Sequence, residues 1–187
     1  MSNEVDVFSG SKHESDAAEF ETRGVTVFAR KPWRHDRPGG ATLSDFSGHF
    51  AEVTTNLDRR RNDLLAAISG LGDADLVRAR RGGWTVGKVL EHITSAEWHY
   101  AVLVRHLRGM GDVAQAQAPG GVAGASEALR RSRAALLEAI DGVGEEDFYR
   151  LGTVGREEYS VVSVLENVEQ HDLEHLGQIK SIQSASQ

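Results

Sequence analysis

The stretch SVVSVLENVEQHDLEHLGQIKSI, Ser160 to Ile182, reads as one amphipathic helix. At about 100° per residue, Val161, Val164, Val168 and Ile179 share a stripe that marks the buried side. His175 falls close to the middle of that stripe and His171 to one flank, while Leu173 points away. The i, i+4 spacing of the two histidines puts both imidazoles on one face, one turn apart. Two nitrogens can then converge on one ion at about 2.0–2.1 Å, the usual distance for zinc. Imidazoles in a core each carry a polar nitrogen that needs a partner. A metal ion supplies one. A pair of core histidines satisfied by side chains or water is the other reading of the same pattern.

Outward from this helix, the same periodicity recurs three times. Helix one is expected over Asp45–Ser69, with Phe46, Phe50, Val53, Leu57, Leu64 and Ile68 on its stripe and Gly70 and Gly72 as its stop. Helix two follows Trp84, with Thr85 as N-cap. Its stripe is Val86, Val89, Leu90, Ile93, Ala96, Tyr100, Val104 and Leu107, and Gly109 and Gly111 end it. A Gly/Ala/Gln/Pro stretch to Ala125 reads as a linker. Helix three then starts after Ser126, carries Leu129, Leu136 and Ile140, and stops at Gly142. Gly144–Tyr159 reads as a polar loop. Four amphipathic helices define an all-α four-helix bundle over residues 42–187. Residues 1–41 form an N-terminal extension. In it, Met1–Glu21 is an acidic loose arm, Gly24–Ala29 suits a short strand, and Lys31-Pro32-Trp33 and Pro38-Gly39-Gly40 break the chain.

Two ligands are too few for a metal site. His92, beside Val89 and Ala96 at the edge of the helix-two stripe, is the best third. His99 and His106 follow at heptad spacing, and the 3.6-residue period carries them outward. His13 and His35 lie in the extension and read as solvated. On helix one, His49, Asn56 and Arg60 fall in the inward sector. They either line a polar pocket above the metal or face water at the bundle end. Asp172 and Glu169 could orient the histidines or be surface carboxylates.

Composition narrows the chemistry. The 187 residues contain no cysteine, which excludes disulfides, zinc-thiolate sites and cysteine nucleophiles. A formal charge of −7 disfavours binding to phosphate backbones, and Arg59-Arg60-Arg61 reads as a solvated helix face. No apolar run is long enough to span a membrane. The polar, acidic N-terminus is unlike a signal peptide, so a cytoplasmic protein is expected. No phosphate loop, dinucleotide fingerprint or nucleophile elbow is present.

Two blocks resemble a known family. Gly82-Gly83-Trp84-Thr85-Val86, running on through Val89-Leu90-Glu91-His92-Ile93, is similar to the stretch opening helix two in DinB-like (damage-inducible) metal-binding four-helix bundles. His171-Asp172-Leu173-Glu174-His175-Leu176-Gly177-Gln178-Ile179 is similar to that family's H-x-x-x-H-L/I-G-Q-I in helix four. The resemblance covers roughly residues 43–183. Lys88 departs from it by replacing an acidic residue, and residues 1–41 have no counterpart. The family includes thiol-dependent S-transferases and mycothiol-dependent maleylpyruvate isomerase. It implies zinc or nickel held by His92, His171 and His175, a low-molecular-weight thiol such as bacillithiol or mycothiol, a small-molecule substrate and a homodimer. An exposed Trp98 would suit the dimer surface.

Three histidines leave coordination positions open, which marks a catalytic metal. Three hypotheses follow. A metal-dependent transferase or hydrolase predicts an open position facing a pocket lined by helix one. A non-catalytic metal-binding or stress-response protein predicts a sphere closed by a fourth group such as His49. A helical interaction module predicts no metal at all.

Overall fold

In the computed structural model, residues 17–22, 25–30, 43–111, 113–114 and 120–185 are described. The chain is an all-α four-helix bundle with an N-terminal extension. Two strands, β1 (Ala17–Thr22) and β2 (Val25–Arg30), pair antiparallel. β2 matches the expected strand. β1 corrects the reading of residues 17–21 as loose arm, because an alternating Ala-Ala-Glu-Phe-Glu-Thr segment has β2 to pair with. His13, His35 and both proline breaks lie outside the described residues.

The bundle helices are α1 (Leu43–Ile68), α2 (Val86–Leu107), α3 (Gly121–Ile140) and α5 (Val161–Ser184). Between the last two lie a short helix, α4 (Glu145–Tyr149), and a hairpin of β3 (Gly152–Val154) and β4 (Glu157–Tyr159). Gly144–Tyr159 is therefore structured, not a polar loop. Its Phe148 and Tyr159 are buried, and Gly155 (φ +65°) permits the tight turn.

Local signals set the helix ends. The Thr85 hydroxyl accepts from the Lys88 N–H at 3.1 Å, and Ser160 and Ser163 cap each other reciprocally at the start of α5. Gly109 and Gly142 (φ +68° and +64°) follow α2 and α3 in the left-handed region. α3 begins at Gly121, ahead of the expected start after Ser126. The reason is a contact distant in sequence. Asp73, in a 3-10 turn (Asp73–Val77), accepts the Val122 N–H at 2.9 Å and so satisfies a free donor of the helix start.

Contact pairs fix the topology. Arg61 meets Asp172 and Ala67 meets Gln183, so α1 and α5 run parallel. Glu97 meets Arg133 and Arg108 meets Ala139, so α2 and α3 also run parallel. His92 lies beside His175 and Tyr100 beside His171, so α2 and α5 are antiparallel. The order is up-down-down-up.

The core is split into two apolar regions. One holds Leu64, Ile68, Val89, Leu90, Ile93, Leu129, Leu176 and Ile179. The other holds Val53, Leu57, Tyr100, Val104, Leu136, Phe148, Leu165 and Val168. Between them all four helices place charge in their buried stripes: Arg61, Glu97, Arg133 and Asp172 are each at most 5% exposed. Arg61 bonds Glu97 at 2.6 Å and both oxygens of Asp172 at 3.2 Å. Arg133 bonds Glu97 at 2.6 Å and Asp172 at 2.9 Å. Two cations face two anions, and the Leu129 and Leu57 carbonyls take further guanidinium protons. Burial raises the Asp172 carboxyl, and the two guanidinium groups pull against it.

This layer corrects two expectations. The Arg59–Arg61 run is not wholly solvated, because Arg61 occupies the stripe position between Leu57 and Leu64 and has two carboxylates to meet. Asp172 is neither a surface carboxylate nor an acceptor for the histidines. A third correction concerns Trp98, which is 7% exposed and packs in the core. It offers no exposed surface for a dimer.

Candidate metal centre

His92 on α2 and His171 and His175 on α5 meet across the antiparallel seam of those helices. The Nε2 atoms of His92 and His171 lie 3.0 Å apart, and those of His171 and His175 lie 3.1 Å apart. The i, i+4 pair stands one turn apart on α5, and His92 reaches it from the helix alongside. All three rings are partly buried. Among the described residues, these three form the group of His, Asp and Glu side chains whose ligand atoms all lie within 4.8 Å of one another.

The arrangement is crowded. A neutral imidazole has one N–H and one lone pair, so three mutually facing Nε2 atoms cannot all be satisfied by each other. Around a tetrahedral ion at about 2.05 Å, neighbouring nitrogens stand about 3.3 Å apart. A few tenths of an ångström of opening would therefore seat one ion. The donor set fits a borderline divalent metal.

Charge also favours the unprotonated, ligating form. Burial, helped by the neighbouring His175 and His92 rings and by Arg61, lowers His171 to about 2. Burial, with His175 and Lys88, lowers His92 to about 4. Lys88, the departure from the family pattern, thus acts on the ligand one turn ahead, while its ammonium pairs with Glu91 at 3.0 Å.

Two further residues border the site, and neither was given a role from the sequence. The Trp84 indole, 40% exposed, lies edge-on to His92 (centroids 4.9 Å) and nearly parallel to His175 (6.5 Å, 14°). Gln178 Oε1 lies 2.8 Å from His175 Nδ1. Its i+3 spacing from His175 was the available signal.

The helix-one residues take other partners. His49 Nδ1 lies 2.9 Å from the Tyr149 hydroxyl, and its Nε2 is 3.9 Å from Glu166. Arg60 pairs with Glu169 at 3.3 Å, so Glu169 orients Arg60 and not a histidine. Asn56 accepts from Arg59 at 3.0 Å. His49 and Arg60 thus line the α1–α5 seam, whereas the histidine triad occupies the α2–α5 seam. His99 bonds the Ser95 carbonyl at 2.7 Å, and His106 is exposed.

An up-down-down-up helical bundle with three histidines converging between its second and last helices defines a compact class of protein. The chain belongs to the DinB superfamily, whose sequence pattern matches residues 56–179. Among solved structures it is similar to a DinB-like protein from Bacillus subtilis (8% identity, TM-score 0.56, covering 73% of this chain and 93% of that one). It is also similar to one from Bacillus cereus (16% identity, TM-score 0.51, covering 75% and 91%). Among curated proteins none matches the chain. No helix among the described residues is long and apolar enough to cross a membrane.

Proposed function

We propose that the chain is a metal-dependent enzyme, with His92, His171 and His175 holding one divalent ion, zinc or nickel, and a small molecule as substrate. The convergence of three partly buried Nε2 atoms carries this reading. Three protein donors leave positions for a substrate or a thiol, whereas a closed sphere would mark a structural metal. When bound, such an ion supplies Lewis acidity, acidifying a thiol or water that reaches it. The chain has no cysteine of its own, so a transferred thiol must come from a small molecule. Hydrolysis by a metal-bound hydroxide is the other reaction open to the same site.

The protein's residues have separable tasks in this reading. The depressed basicity of His92 and His171 keeps their lone pairs free at neutral pH. Trp84 supplies a half-exposed aromatic wall on the side of His92 and His175, where a substrate would lie. A closed, non-catalytic site would need a fourth donor such as His49, and that ring is engaged with Tyr149.

The test is to assay zinc- and nickel-loaded protein with low-molecular-weight thiols and electrophiles, and separately with small esters and amides. Activity that disappears in His92→Ala and in metal-free protein supports the proposal. Full metal loading without turnover of any thiol, ester or amide substrate favours the metal-binding, non-catalytic alternative. A homodimer belongs to the same proposal and is read from the mass in solution.

A further inference from the structure

We propose that Gln178 is the positioning residue that fixes the tautomer of His175 and so decides which of its nitrogens meets the ion. This rests on the metal-centre reading above. Of the three rings, His175 is the one whose Nδ1 has a protein partner among the described residues, Gln178 Oε1 at 2.8 Å. An amide oxygen only accepts. Nδ1 must therefore carry the ring proton, which leaves the lone pair on Nε2. That Nε2 is the atom 3.1 Å from His171 Nε2, at the point of convergence.

The helix enforces the contact. Residues three apart in α5 share a face, so Gln178 is held against the outer edge of the ring without any long-range contact. The Trp84 indole lies nearly parallel to the same ring, with centroids 6.5 Å apart. With the amide reversed, its NH2 would force the proton onto Nε2 and close the lone pair to an ion. Hydrogen bonds from the non-ligating nitrogen characteristically orient metal-binding histidines in this way.

The experiment uses metal-free, full-length protein with 15N-labelled histidine, and reads the His175 tautomer from long-range proton–nitrogen couplings. The wild type should show the Nδ1–H form. Gln178→Leu should mix the tautomers and weaken zinc binding by about 10–100-fold in a chelator competition. Gln178→Glu, which still accepts a hydrogen bond, should keep the Nδ1–H form and bind zinc at least as tightly as the wild type. An Nε2–H form in the wild type overturns the proposal, as does Gln178→Leu with unchanged tautomer and affinity. Failure of the wild type to bind any metal would instead sink the metal-centre reading, while the tautomer stays measurable.

Discussion

The Nε2 atoms of His92 on α2 and His171 on α5 lie 3.0 Å apart, so the two helices meet here through ring nitrogens and not through apolar contact. An ion between them would tie α2 to α5. Ligand bound only by the folded state adds about 2.7 kcal/mol at one hundred times its dissociation constant. For a domain of this size that is a rise of roughly 5–10 °C in Tm. Zinc or nickel should therefore raise the Tm of chelator-treated protein by this amount, and should leave His171→Ala where it was. An equal rise in the variant would place the ion elsewhere.

The His171–His175 spacing was legible in the sequence, as were Thr85 as a cap and the stripes of all four bundle helices. Each is a periodic or local signal. The charged layer was not. Arg61, Glu97, Arg133 and Asp172 each look like one polar residue intruding on a stripe, and only packing shows that they meet. The start of α3 depends on Asp73, 49 residues before Val122, and Trp98 on the width of the buried face.

Removing one member of the charged layer should be costly. Arg61→Met leaves Asp172 and Glu97 with a single guanidinium between them, and breaking a buried pair in this way costs about 3–5 kcal/mol. Replacing Arg61, Glu97, Arg133 and Asp172 together by apolar residues of similar volume should cost far less, or stabilise. Denaturant midpoints of the single and combined variants decide this. A cost near zero for Arg61→Met would mean that the layer contributes little.

Gly121 and Asp73 should couple. Gly121 has φ +77°, and a Cβ there would stand 2.9 Å from Asp73 Oδ1. Gly121→Ala should cost about 1–2 kcal/mol from backbone strain and crowding. Asp73→Ala should cost about 1 kcal/mol from the lost bond to the Val122 N–H. The double variant should lose less than the sum, because removing the carboxylate relieves the crowding. Strict additivity in chemical denaturation would refute the contact.

Acid should destabilise the metal-free protein. An unfolded histidine takes up its proton near pH 6.5, whereas burial and neighbouring charge hold His92 down to about 4 and His171 down to about 2. Between about pH 6.5 and 4 the unfolded chain binds more protons at these positions than the folded one. Stability present above pH 6.5 is then lost as the pH falls through that window. The denaturant midpoint should be lower at pH 5 than at pH 7.5, and His171→Leu should lessen the difference. Equal midpoints in the wild type would show that the two imidazoles are not held neutral.

The most direct measurement is elemental analysis of untagged protein purified without chelator, beside a parallel preparation of His171→Ala. Close to one zinc or nickel per chain is expected in the wild type and almost none in the variant. A wild type that carries no divalent metal, and takes up none on titration with zinc or nickel, would contradict the metal-centre reading.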